Sequence, residues 1–272
     1  MSTMLAPAPV SATKIHLRVT QARVVHSEWT KFRSLRSTVY TLLVAFVLMI
    51  GIGAMFAAIT ASLPGGFDEG ETAISTTLSG TFFAQLAIGV LGVLLISGEY
   101  STGSIRSSLT AVPRRLPMLW AKLAVFAGAV FSTMLVASFT SFFIGQALLS
   151  GKGMDASLSD PGALRSVIGA AMYLTVVGMI GVALGGLFRN TAAAISTVVV
   201  AFFVIAPLTM LLPASWAAQF VQYLPSNAGA MLLGGTFGVA NPLAPWTGFA
   251  VMTAYAVVLV SLAAWRLRRV DA

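Results

Sequence analysis

SGEYSTGSIRSSLTAVPRRLPMLWAK, residues Ser97 to Lys122, is the most concentrated block of polar and charged chemistry that lies between two long apolar runs of the chain. Thr72 to Gly98 before it and Leu123 to Gly151 after it carry no charged residue. Roughly 20 apolar residues in a helix cross about 30 Å of hydrocarbon, so each run is long enough to span a bilayer. The block between them is then a loop outside the membrane, bearing Arg106, Arg114, Arg115 and Lys122. Positive charge in short loops marks the cytoplasmic side. Ile105, Leu109 and Val112 recur at helical spacing, on one face of a short helix that Pro113 ends. A solvated loop needs no apolar stripe. The spacing predicts a small amphipathic helix across the mouth of a helix hairpin, and a docking surface.

Composition sets the class. Of the 272 residues, 57% are hydrophobic and 9% charged, where a soluble domain carries about 25% charged residues. This reads as an all-α integral membrane protein with no room for a second soluble domain. The absence of cysteine rules out a disulfide framework, thiolate metal sites and a cysteine nucleophile. His16 and His26 both precede the first apolar run, which argues against a histidine metal or proton site inside the membrane.

Taken in order, residues 1–13 read as a disordered tail without a signal-peptide pattern. Residues 14–37 are basic, with Lys14, Arg18, Arg23, Lys31, Arg33 and Arg36. Val25, Trp29, Phe32 and Val39 form a helical stripe there, which predicts an amphipathic helix lying in the headgroup plane. Residues 38–272 hold six spans, at about 38–60, 78–97, 119–149, 166–187, 192–212 and 246–265. The acidic loop with Asp68, Glu69 and Glu71, and the loop holding only Lys152 and Arg165 as cations, fall on the outside; Arg189 and the tail Arg266, Arg268 and Arg269 fall inside. Both termini are therefore expected in the cytoplasm. Pro213, Pro225, Pro242 and Pro245 cut residues 213–245 into pieces too short to cross, which predicts broken outer, interfacial or re-entrant helices.

The spans hold no charged residue near their middles, although a charge there costs at least about 2.5–3.5 kcal/mol and is kept only for function. That argues against proton or ion coupling, and against hydrolytic or redox chemistry in the membrane. Energy for any transport must enter from a partner. GQALLSGKG, at Gly145 to Gly153, imitates a phosphate loop but misplaces its first glycine and lacks Ser or Thr after Lys152. Gly178, Gly181 and Gly185 form a small-residue stripe suited to close helix packing, within the chain or in a dimer. Phe82, Phe83, Phe202 and Phe203 are candidates to line an apolar path.

Glu99-Tyr100-Ser101-Thr102-Gly103-Ser104-Ile105-Arg106, then Leu109, Pro113-Arg114-Arg115 and Lys122, resembles the signature between the second and third spans of ABC-2 type permeases. Ser27 to Ser37 is similar to the opening of bacterial members of that family. The one visible departure is Ser104, at a position often held by Thr. The resemblance implies a permease subunit of an ATP-driven exporter in a bacterial plasma membrane. It implies pairing with a second permease chain, and docking of a separate ATP-binding subunit that holds ATP and Mg. It makes Glu99, Gly103, Ile105, Arg106, Leu109, Pro113, Arg114 and Arg115 coupling positions, with Trp29, Lys31, Phe32 and Arg33 beside them. No catalytic residue, metal site or cofactor is expected in this chain itself. A scaffold or sensor that recruits a cytoplasmic partner without cargo is the alternative.

Overall fold

A computed structural model describes residues 20–63, 66–67, 72–101, 115–211, 213, 219–235, 239 and 241–269, with backbone alone at Ser101, Arg115 and Met210. Among the described residues there is no β-strand. Helix α1 (Gln21–Ser34) leads into α2 (Arg36–Ser62) through an extended Leu35. Then come α3 (Ala73–Thr77), α4 (Thr81–Ser101), α5 (Arg115–Ser150) and α6 (Ala163–Phe188). The fifth span comprises α7 (Thr191–Val199), a π-turn and α8 (Ile205–Leu208); short α9 (Pro225–Ala230) and final α10 (Pro245–Arg269) follow.

Among the described residues, six helices are long and apolar enough to cross a membrane: α2, α4, α5, α6, the α7–α8 pair and α10. This is the make-up of a multi-pass membrane protein. Helix α5, at 36 residues, is about 54 Å long at 1.5 Å per residue, well beyond a hydrocarbon layer of about 30 Å. Its surplus carries Lys122 out to one end of the bundle, beside α1.

Helix α6 is the centre, with 83% of its apolar window buried. Glycine makes that burial possible. A Cβ on Gly181 would collide with the carbonyl oxygen of Gly89, and one on Gly185 would lie 2.8 Å from that of Val93. Gly178 faces the ring of Phe126, and Gly92 on α4 meets the backbone of α6 in return. The stripe on α6 is thus spent against α4 and α5 of the same chain.

The second span begins differently from its expected 78–97. Thr72 and Ser75 form a reciprocal capping box that starts α3, and a turn at 78–80 precedes α4. The Ser141 hydroxyl on α5 lies 2.7 Å from the carbonyl of Thr77 and 3.2 Å from that of Met49, midway along α2. Glycines at 53, 80 and 145 admit this contact, since a Cβ on any of them would strike a neighbour. Residues 72–80 therefore insert between α2 and α5 instead of running straight into the span.

Within the Pro- and Gly-rich region after the fifth span, residues 228–234 pack back on the bundle. Gly229 fits against the ring of Tyr173, Leu232 against Gly169, and the Ala228 carbonyl against Gly248. Gly234 turns the chain at φ 90°, a left-handed conformation that glycine adopts without Cβ strain.

Pro207 explains the π-turn in the fifth span. Proline has no N–H for the carbonyl four residues back, and its ring crowds that carbonyl. The ladder adjusts over Val200–Val204, where Ile205 N–H reaches Val200 O. The four phenylalanines read from the sequence as candidates for one apolar path are placed differently from one another. Phe202 is 1% exposed and belongs to the core, whereas Phe82 and Phe83 are exposed. Phe203 sits edge-on to Phe82 at 5.0 Å. The four phenylalanines do not share one surface.

Candidate functional site

The ends of α4 and α5 that flank residues 102–114 meet α1 in a knot of four charges. Lys122 Nζ lies 2.7 Å from Glu28 Oε2 and 2.9 Å from Glu99 Oε1. Lys31 Nζ lies 3.1 Å from Glu28 Oε1 and 3.8 Å from Glu99 Oε1. Two carboxylates face two ammonium groups, so the knot is formally neutral. It is also largely dry: the side chains of Lys122 and Glu28 are 3% and 5% exposed. Burial alone would push the Glu28 carboxyl up, but Lys122 first, then Lys31, outweighs it and holds the group below its ordinary value.

Each member is placed by its helix. Glu28 follows Val24 and precedes Phe32 at four-residue spacing, and these three are the buried residues of α1. Phe32 anchors the helix by standing edge-on to Phe126 at 6.4 Å. Gln21 Nε2 donates to the Pro117 carbonyl at 3.0 Å and fixes the other end of α1 to α5. The stripe expected from Val25, Trp29 and Phe32 is rotated accordingly. Val25 is half-buried, and Trp29 is 45% exposed and stacked on Phe32. The physical reason is electrostatic: Lys122 draws a carboxylate inward, which a count of apolar residues does not register.

Of the expected coupling positions, the structure brings Glu99, Lys31 and Phe32 together, with Trp29 at the margin. Arg33 is exposed on α1 and stands outside the knot. Gly103, Ile105, Arg106, Leu109, Pro113 and Arg114 lie outside the described residues, and Arg115 is placed by its backbone as the first residue of α5. Glu28 is a member that the sequence reading did not single out, and Lys122 stands there as a cation of the loop and the end of its motif, not as a coupling position. Each had a signal: Glu28 is the sole acid within the basic stretch before the first span, and Lys122 directly precedes an uncharged run.

Glu99 Oε2 is buried without a hydrogen-bond partner among the described residues. Beside the knot lies a cleft of about 560 Å³ between α1, the start of α2, α4 and α5, lined by Lys31, Phe32, Ser37, Leu94 and Val125 among others. Among the described residues the junction thus has one acceptor without a donor, and room on one side. Among the described residues, no group of three His, Asp or Glu side chains is arranged to hold a metal ion. Compared with known protein families and with curated proteins, the chain matches none of them.

Proposed function

We propose that this chain is the permease subunit of an ATP-driven exporter of the ABC-2 type, working as a dimer in a bacterial plasma membrane with the knot on the cytoplasmic side. The observation that carries the reading is the knot itself, which clamps α1 to both flanks of the loop 102–114 through Glu28, Glu99 and Lys122. A force applied to the loop or to α1 by an ATP-binding subunit passes through these charges into α4 and α5. The motif around Glu99 to Arg106 supports the same reading, as does the lack of charge in the middles of the spans. ATP and Mg belong to the partner, and Arg106, Arg114 and Arg115 are positioned in sequence to meet it.

Driving a two-state cycle requires a partner with different affinity for the two states. The spare acceptor on Glu99 and the cleft beside α1 suit a junction with a second arrangement. Exposed Phe82 and half-buried Phe203 form an aromatic pair on α4 and the fifth span, the surface we assign to the second permease chain and the translocation path.

Reversing Arg106 and Arg115 to Glu in the reconstituted complex is expected to abolish permease-stimulated ATP hydrolysis while the chain still inserts and folds. Unchanged stimulation overturns the coupling assignment. A scaffold without cargo gives a different result: a hydrolysis-dead partner leaves its phenotype intact.

A further inference from the structure

The last residues of α4 send successive side chains to different neighbours. Glu99 enters the knot with α1 and α5. Tyr100 lies under the guanidinium of Arg189, which is 5.0 Å from its ring centroid. Ser97 Oγ accepts a hydrogen bond from Thr191 Oγ1 at 2.9 Å. Arg189 and Thr191 flank the turn through which α6 passes into the fifth span, where Asn190 caps α7 by accepting from Ala193 N–H.

Arg189 is unusual in its backbone. Among the described residues it is the only one other than glycine with positive φ, at 53°. It ends α6 in the left-handed conformation, with its N–H on the Gly185 carbonyl. Glycine is the usual residue at such a helix end, with asparagine next. An arginine there carries a conformational cost, and the left-handed backbone sets its side chain over Tyr100. The ion pairs of the knot join α1, α4 and α5, and α4 carries the linkage on to the fifth span through Ser97 and Tyr100.

We infer that Arg189 is a positioning residue for transmission: with Tyr100 and the Ser97–Thr191 bond it ties the head of the fifth span to the segment of α4 that carries Glu99. A displacement at the knot then moves α7 together with α4, towards the π-turn and the aromatic face of Phe203. The inference deepens the permease reading and names the route by which that junction acts, but the linkage itself is a property of the chain alone and is tested without nucleotide or partner.

The native chain is free of cysteine, so spin labels report cleanly from paired cysteines. Trp120 on α5 and Ala192 on α7 are both exposed. The Trp120→Cys/Ala192→Cys distance is measured by pulsed electron resonance in the full chain, in nanodiscs. Glu99→Gln perturbs the knot mildly and is expected to shift or broaden that distance. In Arg189→Gly, which relieves the backbone strain and folds, the response to Glu99→Gln is expected to fall by at least half. Tyr100→Leu gives the same loss, and the Arg189→Gly/Tyr100→Leu pair is no worse than either alone, as expected of two residues acting through one contact. Arg189→Lys, which keeps a cation over the ring, retains more of the response than Arg189→Gly. An undiminished response in Arg189→Gly, or no response to Glu99→Gln with Arg189 present, overturns the inference. Failure of the permease reading shows elsewhere, as absence of stimulated ATP hydrolysis in the complex.

Discussion

Lys122→Met is expected to be the most damaging single change of charge in the chain. The side chain is 3% exposed and closes two ion pairs at once, at 2.7 and 2.9 Å. Its removal leaves Glu28 and Glu99 facing each other with, among the described residues, Lys31 to balance them. Breaking a buried pair by deleting one partner typically costs about 3–5 kcal/mol, because the remaining charge is neither solvated nor compensated. The loss is read as reduced thermal stability of the detergent-solubilised protein and as detachment of α1, which makes Phe32 accessible to protease or label. The double variant Glu28→Gln/Lys122→Met separates two causes. If uncompensated charge dominates, neutralising Glu28 restores much of the stability, since neutral groups of similar shape replace buried ion pairs at little cost. A Lys122→Met protein as stable as the native one contradicts the buried knot.

Gly181→Val is the second large effect, and its mechanism is steric. The added Cβ meets the backbone oxygen of Gly89 and approaches the Val93 nitrogen, so no rotamer change relieves it. Ordinary overpacking of a core costs about 1–3 kcal/mol. This collision exceeds that range, because α4 and α6 must separate along the most buried contact in the bundle. The expected outcome is loss of folded protein from the membrane. A control at Gly128, where an added Cβ meets nothing within 4 Å, is expected to leave yield and melting unchanged. Normal accumulation of Gly181→Val as a dimer-deficient protein instead places the stripe at a subunit interface and contradicts its use within the chain.

The spans were legible because a bilayer imposes length: five uncharged runs are long enough to cross, and the last, 190–265, is divided by its prolines into two of the six long apolar helices. The insertion of residues 72–80 was not legible, since Ser and Thr suit a loop, a cap or a helix equally. Only the partners on α2 and α5, Met49 and Ser141, decide between them. Phe202 was readable as an inward position, since it continues the buried face of Ala194 and Val198 at four-residue spacing, which leaves Phe203 beside Phe82. In the site, Glu99 and Lys122 were visible as the two ends of the loop motif. Glu28 was hidden by an apolar-stripe argument that assigns inward faces by hydrophobicity, although a carboxylate can face inward when an ammonium waits there. Arg189 carried no sequence signal beyond its charge, because its role depends on a backbone angle and on Tyr100 lying beneath it.

The central claim is that the loop between α4 and α5, with the knot at its base, faces the cytoplasm, where an ATP-binding subunit can reach it. Single cysteines at Asp68 and at Ser108, in a chain that has none of its own, report this directly through an impermeant maleimide. On intact cells, Asp68→Cys is expected to be modified and Ser108→Cys to react only after the membrane is permeabilised. Modification of Ser108→Cys on intact cells with Asp68→Cys protected contradicts the account.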